Sequence, residues 1–228
     1  MRTPPAALML YAAGLGTRMR PLTDDRPKPL VAVAGRALID HALALVPDGL
    51  RVVANSHYRA PQLAAHLAGR GIAISHEPVL LDTGGGLAAA LPLLDADPVY
   101  TLNTDAVWTG PGPLATLAAA WDAARMDALL LVVPQDRATG HAGAGDFRLH
   151  PDGRLERGPG VAADRVYTGA QILTPRLIEP GDGAVFSNNL LWNRAAARGR
   201  LFGVTHPGGW CDVGRPDSIP LAETLLHG

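Results

Sequence analysis

Lysine is almost missing from this chain: of its twenty cationic side chains, only Lys28 is a lysine. Cysteine is nearly absent too, and the lone Cys211 excludes an internal disulfide framework and fits a reducing compartment. Aromatic residues make up 5 % of a chain that is 47 % apolar, so much of the apolar content is alanine, which suits close packing of helices on a sheet. Neither sign of charge dominates. With a net charge of −1 and no basic stripe, nucleic acid is not an expected partner. No apolar run reaches membrane-spanning length, that at 129–133 being strand-sized, and no membrane partner is expected. The eight histidines are scattered, with no pair at zinc-ligand spacing. Residues 1–5 show no small-residue cleavage site, so no leader is expected and a cytoplasmic soluble enzyme is the natural class.

The scarcity of lysine directs attention to where the one lysine sits. The arginine-rich composition matches a GC-rich coding bias, which would erase any lysine whose work arginine can share. A survivor marks a place for a compact, mobile ammonium that a planar guanidinium cannot replace. Lys28 follows Ala12-Ala13-Gly14-Leu15-Gly16-Thr17-Arg18-Met19-Arg20-Pro21-Leu22-Thr23. Gly14 and Gly16 allow backbone N–H groups to approach an anion and tolerate positive φ. Arg18 adds a bidentate phosphate partner, and Pro21, Pro27 and Pro29 stiffen the return path to Lys28. Two familiar glycine loops are excluded by spacing. A dinucleotide fingerprint needs glycine at position 19, occupied by Met19, and a Walker loop needs Gly-Lys-Ser/Thr, which is absent.

Hydrophobic periodicity predicts strands at 8–13, 50–54, 72–76, 99–102 and 128–133, alternating with helices at 38–46, 60–68, 86–94 and 114–124. This alternation predicts a parallel sheet covered on both faces. Beyond residue 133 the pattern changes: a hairpin (147–150 with 154–156), a strand at 165–173, a helix at 186–198, a strand at 201–204 and a closing helix at 216–226. The expected fold is α/β, a Rossmann-like, mostly parallel mixed sheet flanked by helices, and one domain over 1–228 is the size-based expectation. The polar, glycine-rich loop 134–145 is expected to be mobile.

Asp105 follows the strand at 99–102, at the carboxyl edge where ligands of a parallel sheet collect, and is a candidate Mg²⁺ ligand or a turn former. Asp212, in Gly208-Gly209-Trp210-Cys211-Asp212-Val213-Gly214, is the second candidate. Cys211 is expected to pack beside the site rather than act as a nucleophile. Thr83, Gly84 and Gly85 belong to a glycine run read as a close backbone approach to a flat ligand. Asn55 is either a pocket residue or a cap for the next helix.

The run from Ala12 to Thr23, closed by Pro27-Lys28-Pro29-Leu30, resembles the signature of sugar-1-phosphate nucleotidylyltransferases. That resemblance implies a Mg²⁺-dependent enzyme that uses an NTP and a sugar 1-phosphate. It gives Lys28 and Arg18 the catalytic roles, and makes Ala13, Gly14, Gly16, Thr17, Thr83, Gly84 and Gly85 nucleotide-binding. Asp105 and Asp212 would hold the metal; Asp146, Gly169 and Asn55 would meet the sugar. Residues 1–133 would form a nucleotide-binding half and 134–228 a sugar-binding half. The elements at 82–86, 141–147 and 167–170 resemble the branch that couples UTP to N-acetylmuramate 1-phosphate in cell-wall sugar recycling. Two positions depart from the family pattern: Thr104 stands where a glycine is usual, and Tyr11 where an aliphatic residue is. A guanylyltransferase acting on mannose 1-phosphate, a molybdopterin nucleotidyltransferase, a metal-dependent glycosyltransferase and a nucleotide sensor are the competing readings. A glycosyltransferase is expected to carry Asp-x-Asp where this chain has Asn103-Thr104-Asp105. With no heptads and no long apolar stripe, a monomer is expected.

Overall fold

The computed structural model describes residues 4–228; Met1–Thr3, where the stretch read for a leader begins, lie outside the described residues. Strand β1 (Ala7–Tyr11) carries apolar side chains on both faces, as expected for a strand covered above and below. Leu8 and Leu10 enter one core cluster while Ala7 and Met9 enter the other, the two-residue period of a strand made visible. On the first face lie α1 (Leu38–Leu43), α2 (Ala60–Leu67) and α4 (Pro113–Ala120), through Ile39, Leu63 and Leu117. On the second lie α3 (Asp82–Leu94) and α5 (Asn188–Ala197), through Leu87 and Leu191.

Six further strands complete the sheet: β2 (Arg51–Ser56), β3 (Ala73–His76), β4 (Val99–Asn103), β6 (Ala128–Pro134), β7 (Arg165–Leu173) and β8 (Leu201–Thr205). Their order is β8-β6-β7-β4-β1-β2-β3. β1 pairs in parallel with β2 and β4, so β1 lies where the chain order reverses and a crevice opens at the carboxyl ends. β7 runs antiparallel to both of its neighbours, so the sheet is mixed rather than all parallel. The reason is local: the chain returns from the hairpin Arg148–Leu149/Leu155–Glu156 at the far edge and enters β7 without a crossover helix.

Two short strands escaped the periodicity reading. β5 (Ala106–Trp108) and β9 (Trp210–Asp212) pair antiparallel outside the main sheet. Three residues are too few to display a period. They rest on a third apolar cluster of Met19, Val31, Val33, Leu38, Val107, Cys211, Val213 and Ala222, the last from helix α6 (Ser218–His227). The loop after β6, expected to be mobile, is tied down: Asp212 N donates to Thr139 O at 2.9 Å and Arg137 Nη2 to Gly208 O at 2.9 Å. Among the described residues no helix is long and apolar enough to cross a membrane.

Candidate active site

The loop after β1 is built around Gly16, whose φ of 66° lies in the left-handed region. A Cβ at Gly16 would also sit 3.1 Å from the Lys28 Cβ, so glycine lets the lysine stem pass close behind the loop. Thr23 Oγ1 and Met19 N both donate to Gly16 O, at 2.8 and 2.9 Å, and lock the turn. Gly14 needs neither positive φ nor close clearance; it opens onto the cavity. The segment from Pro27 to Leu30 is extended at Pro27 and then forms one 3₁₀ turn, Lys28–Leu30. The fixed φ of its prolines delivers Lys28 inward, with its side chain only 13 % exposed. Lys28 Nζ donates to Asp105 Oδ2 at 2.7 Å. Thr17 and Arg18 stay exposed on the outer side of the loop.

The β5–β9 pair brings the two candidate metal acids together. Asp212 is in register with Ala106, and Val213 N donates to Asp105 O at 2.8 Å. Burial, and then the charge of Asp105, push the Asp212 carboxyl above its ordinary range; Lys28, Arg18 and His141 oppose them. Two hard oxygen donors that repel each other beside an ammonium would suit a small divalent cation. No set of three or more metal-ligating side chains gathers among the described residues. Cys211 between these elements is fully buried, and burial pushes its thiol up to about 12, so it packs rather than attacks.

A cavity of about 480 Å³ opens beside Lys28 and Asp105, lined also by Tyr11, Ala13, Gly14, Asn55, Glu77 and Thr83. Asn55 caps no helix. Its Oδ1 accepts from Ala12 N at 2.6 Å and its Nδ2 donates to Glu77 Oε1 at 2.7 Å, cross-tying the ends of β1, β2 and β3. Nor is Asn55 brought to Asp146 and Gly169: three strand spacings, about 14 Å, separate β2 from β7. The glycine run also has a different cause from the one expected. Helix α3 starts at Asp82 rather than residue 86, and Gly84 and Gly85 lie inside it. Their N–H groups both donate to Phe186 O at 2.9 Å, and a Cβ on Gly85 would collide with the Ala184 carbonyl. Packing of the segment before α5 explains these glycines; Thr83 beside them does line the cavity.

Gly169, at φ 88°, sits where β7 bulges between Tyr167 and Gln171, and a Cβ there would lie 2.8 Å from the Asn103 Cβ. Asp146 is exposed nearby and its Oδ2 accepts from Tyr167 N at 2.8 Å. Sequence reasoning missed two residues that line the cavity, Glu77 and Asn103. Both stood at carboxyl ends of strands, a position that marks ligand contact in such sheets. The two departures from the family pattern touch: Thr104 Oγ1 donates to Tyr11 O at 2.8 Å. The Tyr11 hydroxyl, pushed to a high pKa by burial, accepts from Asn188 Nδ2 at 3.0 Å.

The chain is 43 % identical, over 99 % of both chains, to the N-acetylmuramate alpha-1-phosphate uridylyltransferase of Caulobacter vibrioides. It is 34 % identical to the enzyme of the same description from Neisseria meningitidis serogroup B, over 95 % of this chain and 96 % of that one. The fold matches the crystal structure of HddC from Yersinia pseudotuberculosis complexed with GMP-PN, with TM-score 0.74 over 97 % of this chain and 99 % of that one; at 18 % identity this likeness concerns the fold alone. Residues 8–203, which carry the phosphate loop and Asp105, match the MobA-like NTP transferase domain, and the chain belongs to that family of nucleotidyltransferases.

Proposed function

We propose that this chain transfers the uridylyl group of UTP to N-acetylmuramate 1-phosphate, releasing pyrophosphate and UDP-N-acetylmuramate. One observation carries the reading: the lone lysine lies 2.7 Å from an acid that shares a strand pair with a second acid, beside a cavity of nucleotide size. A phosphate oxygen of the sugar 1-phosphate attacks the α-phosphorus, and the bond to the pyrophosphate oxygen breaks on the opposite side. The nucleophile is already anionic at neutral pH, so no general base is needed. Repulsion between two anions is the obstacle, and the work is positioning and charge neutralisation.

Each residue has a part in that work. Backbone N–H groups from Ala13 to Thr17 cradle the triphosphate, with Arg18 steadying its outer phosphates. Thr83 and Asn55 shape the cavity for the base, with Gly84 and Gly85 in its supporting wall. Asp146 and Gly169 meet the sugar. Asp105 and Asp212 would hold Mg²⁺, which supplies positive charge against the phosphate oxygens when bound. Lys28 then exchanges Asp105 for the phosphates as charge crowds at the α-phosphorus. A guanidinium is too bulky and too fixed in shape to make that exchange.

The proposed setting is cytoplasmic, as a monomer of one domain whose product feeds reuse of cell-wall amino sugar. A pyrophosphate-release screen tests this reading, with UTP, GTP, dTTP and CTP against N-acetylmuramate, N-acetylglucosamine, mannose and glucose 1-phosphates. UTP with N-acetylmuramate 1-phosphate is expected to give the highest kcat/KM. Preference for GTP and mannose 1-phosphate would replace it with the guanylyltransferase reading.

A further inference from the structure

Arg157 stands out among the arginines on the sugar side of the site. Arg154 and Arg165 each face an aspartate, Asp152 at 3.5 Å and Asp164 at 3.0 Å. No carboxylate among the described residues lies within ion-pair distance of Arg157; Asp146 acts on it only at longer range. Its guanidinium is instead held over two rings, 5.3 Å from the Phe147 centroid and 5.4 Å from that of Trp192. Both rings are fixed. Phe147 is fully buried, and Trp192 Nε1 donates to the buried Gln171 Oε1 at 2.7 Å. Arg157 Nη1 donates to Asn189 Oδ1 at 2.7 Å, and none of its other N–H groups has a partner among the described residues. A half-buried cation braced in one orientation with most of its donors open is built to receive an acceptor.

Its surroundings say where that acceptor would come from. Trp192 also carries the Tyr167 ring, at 4.9 Å, and the Tyr167 N–H is the group bound by Asp146. One residue before Asn189, Asn188 turns the other way: its N–H donates to Thr83 Oγ1 at 2.9 Å and its Nδ2 to the Tyr11 hydroxyl. Tyr11 and Thr83 are cavity wall. The first turn of α5 thus links Arg157 to the cavity on one side, while the aromatic pair links it to Asp146 and β7 on the other. The buried Asn188 Oδ1 has no hydrogen-bond partner among the described residues.

We infer that Arg157 is a specificity residue that receives a carboxylate on the sugar substrate, so that the site selects an acidic sugar 1-phosphate over its neutral counterpart. This rests on the proposed function, in which the acceptor is a sugar 1-phosphate. The planar guanidinium offers paired N–H donors that match a carboxylate and gain nothing comparable from a hydroxyl. The residue sits outside the phosphate chemistry, so it acts on acceptor binding and leaves the turnover step alone.

The test compares wild type, Arg157→Gln and Arg157→Lys on N-acetylmuramate 1-phosphate and on N-acetylglucosamine 1-phosphate, which lacks the lactyl carboxylate, with UTP. Arg157→Gln is expected to raise KM for the acidic sugar about tenfold or more while kcat changes less than about twofold. KM for the neutral sugar should stay at its wild-type value, and Arg157→Lys should recover part of the loss. The wild-type KM for the acidic sugar should also climb with salt more steeply than that for the neutral sugar, a difference that Arg157→Gln loses. Equal losses for both sugars would mark Arg157 as a structural tie and overturn the inference, as would no loss for either. A wild-type protein that releases pyrophosphate with neither sugar overturns the function reading itself, and this inference with it.

Discussion

The two halves of the molecule teach different lessons about how a site is assembled. Up to β6 the chain alternates strand and helix, and each loop at the carboxyl edge projects from a strand whose register is fixed by parallel pairing. The phosphate loop is therefore positioned locally: Gly16, Thr23 and Lys28 constrain one another within thirteen residues. Beyond β6 the candidate residues are positioned by partners distant in sequence. Asp212 is held by β5 and by the loop at Thr139, Arg157 by Phe147, Asn189 and Trp192, and Gly169 by Asn103. Local positioning can be read within one stretch of sequence; distant positioning becomes visible only in the fold.

The two acids test this contrast most severely, since each half contributes one. Asp105→Ala and Asp212→Ala are each expected to cut kcat by about a hundredfold to a thousandfold. Both should also abolish the rise in melting temperature that Mg²⁺ with UTP produces in wild type. A variant that kept a normal magnesium titration would remove its half from the metal site. Lys28→Arg comes next, expected to cost about a hundredfold in kcat, or on the order of 3 kcal/mol of barrier, with the melting curve unchanged. Wild-type turnover in that variant would end the argument from the chain's one ammonium.

Gly85→Ala separates packing from binding within the first half. Overpacking against the Ala184 carbonyl is expected to cost about 1–3 kcal/mol of stability, read by urea unfolding, with KM for UTP little changed in the folded enzyme. A raised KM at full stability would return the glycine run to the nucleotide. The smallest effect concerns the second half. Hydrogen bonds from Arg194, and then from Glu179 N, hold the Asp182 carboxyl down at about 2. A carboxyl depressed in the folded state stabilises above its unfolded pKa and loses that contribution as pH falls through the folded value. Wild type should therefore lose melting temperature between pH about 4 and 2 more steeply than Asp182→Asn. Parallel curves would show that the pair adds nothing to the α5 region.

The same contrast explains what could be read before the structure. The seven main strands and the helices around them follow from periodicity, because long elements repeat their pattern several times. The glycine loop and both aspartates were legible as candidates because glycines framing an arginine and the lone lysine, and acids at strand ends, are unusual patterns; the structure brings Lys28 to Asp105 and sets Asp212 beside them. β5 and β9 were not, being too short to show a period, although they decide that Asp105 and Asp212 meet. Asn55 and the glycine run were legible as unusual but not as to purpose. A buried amide that ties Ala12 to Glu77 looks, in one dimension, the same as one that caps a helix or meets a ligand. Arg157 was invisible, since an arginine in an arginine-rich chain carries no mark until the rings beneath it are seen.

The antiparallel pairing of β5 with β9 also has a consequence in time. During synthesis the ribosome releases the phosphate loop, Lys28 and Asp105 well before Asp212 exists. Until β9 docks, Asp105 O lacks the N–H of Val213 and Ala106 lacks the strand partner that brings Asp212 beside it.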